Sequence, residues 1–183
     1  SLPFWVEFIL VILILDFFIW LQHLLTHKIE FLWRIHRVHH SDTEMDVSTA
    51  IRFHPIEIAL SMALKISLVY ALGADPLSVL IFEILLNGSS IFNHANINIP
   101  NRIDKIVRFL IVTPDMHRIH HSSDRIEHDT NFGFALSIWD HIFQTYKYRP
   151  ERDHKEMEIG LIWQDEKPQE LGWSLGLPFK KNG

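Results

Sequence analysis

Hydrophobic residues are concentrated in two blocks in the first half of the chain. The first block, residues 4 to 21, is an 18-residue run in which only Glu7 and Asp16 carry a charge. As an α-helix it would be roughly 27 Å long at 1.5 Å per residue, close to the ~30 Å hydrocarbon core of a bilayer. It has neither the basic start nor the small-residue cleavage site of a signal peptide. We therefore predict a membrane helix.

The second block, residues 56 to 92, is divided near its middle by Gly73 and Pro76. Glycine commonly ends a helix and proline commonly begins one, so the pattern predicts a helical hairpin. Its arms carry Glu57, Lys65 and Glu83, which must face protein if the arms cross a membrane or enter it and return as a pair. A buried helical pair in a soluble all-α protein is the alternative.

The remaining chain is more polar. Residues 101 to 112 suggest a short amphipathic helix at the lipid headgroup layer, with Ile103 and Ile106 on its apolar side and Arg102 and Arg108 elsewhere. From residue 148 onward, prolines and glycines indicate extended structure and turns. We divide the chain into a membrane domain, residues 1–150, and a polar C-terminal tail, residues 151–183. The chain begins with Ser1 rather than Met, which is compatible with further helices upstream.

Composition narrows the possible functions. With 183 residues, of which 48% are hydrophobic, a single domain is expected. The net charge of -5 argues against a generally basic nucleic-acid binder. Cysteine is absent, which excludes disulfides, thiolate zinc sites, iron–sulfur clusters and cysteine nucleophiles. Histidine is abundant instead, at 13 residues.

Eight histidines form three boxes with helical spacing, one HxxxH and two HxxHH. Residues at i, i+3 and i+4 lie near one another on a helix, so each box presents its imidazoles from one rigid element. For the last box, Thr113 is a suitable N-cap, Pro114 a first helical residue and Asp115 a first-turn acid. The boxes are His23 and His27; His36, His39 and His40; and His117, His120 and His121.

The chemistry that suits these boxes is metal binding. Neutral imidazole is a common ligand of first-row metals. One zinc site uses three or four ligands, so eight donors favour two metals close together. Buried imidazoles without metal would cost desolvation unless hydrogen bonds satisfied them. An ordinary hydrogen-bonded role is at least as good an interpretation for the isolated His54, His128, His141 and His154. No HExxH is present, so a metalloprotease of that type is excluded.

Three such boxes, in this order around hydrophobic hairpins, resemble the fatty acid hydroxylase and sterol desaturase superfamily of membrane-bound di-metal oxygenases. The resemblance covers roughly residues 10 to 148 and extends to the flanking residues. These are Asp16, seven residues before His23; HRVHHSD at 36–42; RFHPIE at 52–57; TPDMH at 113–117; and DTNFG at 129–133, followed by Trp139 and Asp140. The chain departs from the family at Leu24, where arginine is frequent, and at Gln144, where glycine is frequent.

The resemblance implies a fold and a ligand set. The fold would be an all-α integral membrane helical bundle with a histidine-rich helical cap on the cytoplasmic side. The eight box histidines would bind two iron ions, with His94 as a ninth ligand and no separate catalytic acid or base. His54 and His128 match recurrent histidines of the family, and Asp129 and Asn131 would orient imidazoles through hydrogen bonds.

The resemblance also implies a function. Two ferrous ions would use O2 to hydroxylate or desaturate a C–H bond of a lipid, either sterol-like or fatty-acyl. Residues 10 to 15, 58 to 64 and 80 to 86 are candidate walls of a lipid channel. Electrons would come from a separate reductase, cytochrome or ferredoxin, since no haem-binding or flavin-binding sequence fits in the chain. Zinc can replace iron in a purified sample, because imidazole sites bind both metals.

The alternative is a membrane protein that binds or transports metal through the same histidines without oxygen chemistry. Such a protein would place acidic groups along a path through the membrane. The boxes instead cluster near one face. Basic residues that flank both histidine stretches put that face in the cytoplasm under the positive-inside rule, and the hairpin must then return to its starting side. They are Lys28, Arg34, Arg37 and Arg52, and Arg102, Lys105, Arg108, Arg118 and Arg125.

Overall fold

The computed structural model describes residues 3–154, 156–163 and 167–180. Within these ranges the regular elements are helices, and only isolated bridges, such as Ile111 with Leu136, have β geometry. The α-helices are α1 (Phe4–Lys28), α2 (Glu30–His40), α3 (Pro55–Leu72), α4 (Pro76–Asn93), α5 (Asn101–Val107), α6 (Pro114–His120), α7 (Arg125–His128), α8 (Ile138–Ile142) and α9 (Leu171–Gly176), and Thr49–Ile51 and Leu177–Phe179 form 3-10 helices.

Helices α1, α3 and α4 are long and apolar enough to cross a membrane. Only 6% of the α3 window is buried inside the protein, which does not fit the buried pair of a soluble domain. The protein is thus an all-α membrane helical bundle, as predicted. Helix α1 continues beyond its apolar run to Lys28, so His23 and His27 lie on its last turns.

The α3–α4 hairpin forms where glycine and proline predicted it. His54 caps the start of α3 by accepting a hydrogen bond from the Ile56 main-chain N–H, and Pro55 is the first helical residue. Gly73 ends α3 in the left-handed conformation at φ +60°, which favours glycine. Asp75 then caps α4. The hairpin therefore brings the chain back to the end of the bundle where it began.

Two tryptophan–aspartate pairs fasten α1 to the segment around α8. The Trp139 indole N–H donates to Asp16 Oδ2 at 2.7 Å, and the Trp20 indole N–H donates to Asp140 Oδ1 at 3.0 Å. Asp140 also accepts from the main-chain N–H groups of residues 132 and 133 and from the Thr145 hydroxyl. These bonds fix the loop of residues 129–137 against the membrane helix.

Helix α5 is shorter than predicted. It ends at Val107, and the next residue, Arg108, turns its side chain inward, where it forms an ion pair with Asp104 and donates to the Tyr148 carbonyl oxygen at 2.8 Å. Arg108 is therefore buried and does not lie with the polar surface residues as expected. Ile106 is 75% exposed, as expected for a helix at the headgroup layer.

The C-terminal segment is more ordered than the extended structure and turns predicted from its polar composition. Residues 171–176 form α9, which continues into a 3-10 helix. Its few apolar residues, Trp173 and Leu177, pack with Leu161 against Val38 of α2. Arg37 donates to the Leu177 carbonyl oxygen at 2.7 Å. The tail thus covers one side of the second histidine box.

We expect Asp140→Ala to destabilise the protein strongly. The substitution removes a buried acceptor from four donors, and each buried group left unsatisfied costs about 1–3 kcal/mol. The apparent Tm in detergent should fall well below that of the wild type. Glu158→Ala, which removes an exposed partner of Arg152, is the control and should leave the Tm unchanged. Equal Tm values for the two variants would contradict this role of Asp140.

Candidate metal centre

The nine histidines predicted as metal ligands lie in two adjacent buried groups. In each group, every member offers one ring nitrogen that lies within 4.8 Å of the others. None of the nine is more than 4% exposed. The first group contains His23, His27, His36, His40 and His120, and the second contains His39, His94, His117 and His121.

Both HxxHH boxes contribute to both groups. On α2, His36 and His40 are four residues apart and join the first group, whereas His39 joins the second. His117 of α6 and its i+4 neighbour His121, which caps the end of that helix, join the second group, whereas His120 joins the first. Neighbouring residues point about 100° apart around a helix, so one box can serve two sites side by side. The groups touch where the rings of His40 and His121 stack, with centroids 4.5 Å apart.

Main-chain carbonyl groups fix the tautomer of three imidazoles. A carbonyl oxygen only accepts hydrogen bonds, so each Nδ1 must carry the proton and each Nε2 must present its lone pair. This is the usual arrangement of a metal-binding histidine. The pairs are His23 with Phe132, His94 with Ser90 and His120 with Thr130, at 2.8, 2.7 and 2.7 Å.

A carboxylate has the same role for His36. Its Nδ1 lies 2.6 Å from Glu57 Oε1, and both residues are buried. From the sequence, Glu57 was only a charge that had to face protein. Its position three residues after His54 in the RFHPIE segment was the available signal, but the pairing with α2 depends on how the helices pack.

The inward nitrogens fit metal ions. Among the described residues, Nε2 of His23, His36 and His120 is buried without a hydrogen-bond partner, as are both nitrogens of His40. Each such atom would cost about 1–3 kcal/mol if left unsatisfied. In the second group, His94 Nε2 lies 3.1 Å from Nε2 of both His39 and His117. A metal ion that accepts these lone pairs would remove the penalty.

Six of the imidazoles have a lowered pKa, which favours the neutral form that binds metal. Burial lowers the pKa of His94 to about 4. Burial is also the main reason that five other imidazoles have a pKa well below the ordinary 6.5, and neighbouring imidazoles lower it further. These are His39, His40, His117, His120 and His121.

His54 and His128, the two further histidines that match the family, lie in different positions. His54 lies outside both groups, and its ring caps α3. His128 stacks on Trp33, with centroids 5.0 Å apart, and forms a third cluster with Asp129 and with His27, which also belongs to the first group. Asp129 Oδ1 lies 3.5 Å from His27 Nδ1, while its other oxygen pairs with a lysine. Asp129 is therefore adjacent to an imidazole, but neither Asp129 Oδ1 nor His27 Nδ1 has a hydrogen-bond partner among the described residues, so its orienting role stays a prediction.

Asn131 acts on the main chain rather than on an imidazole. It is fully buried at φ +56°, and its amide donates to the carbonyl oxygens of Met116 and Lys147, both at 3.0 Å. Its neighbours Thr130 and Phe132 supply the carbonyl groups that orient two imidazoles. Asn131 thus positions two metal-site acceptors indirectly, in contrast to the direct hydrogen bond that the resemblance suggested.

A cavity of about 270 Å³ adjoins the first group, where it is lined by His23 and His36. It extends between α1, α3 and α4. Two of the predicted channel walls contribute, through Ile58 and Leu86. Residues 10–15 do not line it, because it meets α1 further along, from Ile19 onward.

The chain belongs to the fatty acid hydroxylase family, which matches residues 8–145. It is 31% identical to ornithine lipid hydroxylase OlsE of Rhizobium tropici over 159 residues, which cover 86% of this chain and 46% of that protein. It is 28% identical to human alkylglycerol monooxygenase over 142 residues (75% and 30%) and 29% identical to human cholesterol 25-hydroxylase over 146 residues (76% and 50%). The chain thus spans half or less of these relatives. No solved structure matches it.

We expect the purified protein to bind two metal ions per chain, one in each group. His94→Ala removes a ligand from the second group only, so metal content should fall towards one ion per chain. His154→Ala, at a histidine outside both groups, is the matched control and should retain both ions. Metal analysis by mass spectrometry distinguishes these outcomes, and an unchanged content in His94→Ala would exclude that residue from the site.

Loss of the Glu57 carboxylate should weaken metal binding while leaving all nine histidines in place. Removal of a group that orients a metal-binding imidazole typically costs about 10–100-fold in affinity. We expect a loss of this size in Glu57→Ala and a smaller one in Glu57→Gln, which keeps an acceptor oxygen. Competition with a chelator measures the affinity. Equal affinities of Glu57→Ala and the wild type would show that His36 needs no such support.

Proposed function

We propose that this protein is a membrane-bound non-haem di-iron oxygenase that hydroxylates a C–H bond of a lipid. The observation that carries the proposal is the pair of adjacent imidazole groups, whose buried lone pairs converge beside a cavity. The relatives named as hydroxylases and a monooxygenase support hydroxylation over desaturation, and their names support a lipid as the substrate.

The donor set supports two iron ions. Imidazole suits iron and zinc alike, but zinc has no redox chemistry. The first group would hold one ion and the second group the other. Two ferrous ions, when bound, supply the reduction of O2 and the insertion of one oxygen atom into a C–H bond. Metal transport is less well supported, because both groups lie at one end of the bundle rather than along a path through it.

The residues around the cavity would bind and place the lipid. Ile19, Phe53 and Leu86 offer an apolar surface next to His23 and His36. The substrate carbon would therefore be held against the first imidazole group.

The opening of the cavity suits a substrate that arrives from the bilayer. Ile51 and Ile58 line the cavity and are also 80% and 49% exposed. An apolar rim of this kind lets a lipid chain enter without crossing water.

The proposal also places the histidine groups on the cytoplasmic side, where a separate reductase, cytochrome or ferredoxin would supply electrons. Lys28, in the last turn of α1, and Arg34, within the following helix α2, support this orientation. No haem or flavin is required of this chain.

Oxygen consumption and product mass test the proposal together. The iron-loaded protein, prepared anaerobically and reduced chemically, should consume O2 and convert a cell lipid to a product heavier by one oxygen atom. Lipid extracts of cells with and without the protein identify that lipid by mass. The zinc-loaded protein, His39→Ala and His120→Ala should do neither. No O2 uptake and no oxidised lipid with the iron-loaded wild type would refute the oxygenase proposal.

A further inference from the structure

An ion pair joins the two arms of the hairpin within their apolar stretches. Lys65 Nζ donates to both carboxylate oxygens of Glu83, at 2.7 and 2.9 Å. The Lys65 side chain is only 13% exposed. Ionisable groups inside membrane helices are costly and usually functional, and neither imidazole group contains this pair.

The ion pair lies between a cavity and an open groove that follow one another along the hairpin. Lys65 lines the cavity beside the first imidazole group, and it also lines a groove of about 340 Å³, in which Ile66 and Tyr70 are 60% and 89% exposed. On α3, Ser61 lines the space on the metal side of the pair, and Val69 lines the space beyond it. On the antiparallel α4, Leu86 lies on the metal side and Val79 lies beyond the pair. Both helices therefore place the pair at the boundary.

We propose that the Lys65–Glu83 pair is a partition that ends the lipid cavity and limits how far a substrate chain extends from the metal centre. This inference rests on the proposed function, since it assigns a specificity determinant to the same cavity. Glu57, beside His36, and Lys65 are eight residues apart, or about 12 Å along the helix. The preferred lipid would present its reacting carbon within a short inserted segment.

The physical basis is the cost of breaking the ion pair. A longer chain would have to separate charges that lie within hydrogen-bond distance in apolar surroundings, which leaves both uncompensated. The cavity itself, at about 270 Å³, is also small for holding a whole lipid chain. Chain segments beyond the limit are therefore excluded rather than accommodated.

The test is a double variant that opens the partition, Lys65→Ala with Glu83→Ala. Removing both partners leaves no unpaired charge in the helices. A homologous series of straight-chain fatty alcohols is the probe, and its affinity is measured by displacement of a fluorescent lipid from the zinc-loaded protein in nanodiscs. In the wild type, affinity should stop rising beyond a certain chain length. In the double variant it should continue to rise, by roughly fourfold for each further buried methylene.

The charge-swapped variant, Lys65→Glu with Glu83→Lys, is the matched control, because it keeps an ion pair at the same place. It should retain the wild-type limit. The same limit in the double alanine variant, or its loss in the swapped variant, would overturn the partition.

Two single variants test the proposal if the double variant does not fold. Ser61→Phe fills space on the metal side of the pair and should shorten the longest chain bound tightly. Val79→Phe fills space beyond the pair and should leave the limit unchanged. An effect of Val79→Phe on wild-type binding would mean that chains pass the ion pair, which contradicts the inference.

The oxygen assay separates this inference from the proposed function. If the wild type hydroxylates lipid but the opened variant keeps the same chain-length preference, only the partition is wrong. If the iron-loaded wild type neither consumes O2 nor forms product, the oxygenase proposal fails, and the alcohol series still reports whether the pair limits the cavity.

Discussion

Nine imidazole rings are packed against one another in the interior of this protein. The surrounding structure must keep these rings uncharged and must satisfy their hydrogen-bonding nitrogens. Charged imidazoles would repel one another there, and burial lowers the pKa of rings such as His39, His94 and His121, which favours their neutral form. Each neutral ring has one donor and one acceptor nitrogen to satisfy. Carbonyl oxygens and the Glu57 carboxylate take the outward protons of four rings, among them His23 and His36. In the first group, the inward Nε2 atoms have no hydrogen-bond partner among the described residues, so metal binding and folding stability are expected to be coupled.

Two of the outward acceptors depend in turn on the loop of residues 129–137. Residues 130 and 132 present their carbonyl groups to two imidazoles because Asn131, between them, holds a left-handed conformation and bonds the main chain on both sides. Asp140 fixes the following two main-chain N–H groups. Since Trp20 of α1 donates to the same carboxylate, the membrane helix and the metal-site loop form one hydrogen-bonded unit.

Local sequence patterns predict those features that depend on residues close together in the chain, namely helices, caps and turns. Box spacing, the Thr113 cap and the glycine–proline turn all concern residues within one helical turn of each other, and the structure confirms these helices and caps. The division of each HxxHH box between two groups, and the Glu57–His36 contact, depend on how separate helices pack. The departure at Gln144 has a local explanation, because its φ of +59° is a conformation that glycine adopts most easily. The inward turn of Arg108 and the helix in the tail arise from long-range contacts that composition does not reveal.

One face of α3 would connect the proposed metal centre to the choice of substrate. Glu57, Ser61 and Lys65 follow one another at i, i+4 and i+8, so they share that face and stand about 6 Å apart along the axis. The first supports an imidazole, the second lines the cavity and the third ends it. Because a helix is rigid over two turns, the distance from the supported imidazole to the end of the cavity is set by residue spacing rather than by loop conformation. A change in substrate length would therefore require both members of the ion pair, Lys65 on α3 and Glu83 on α4, to move by one helical turn.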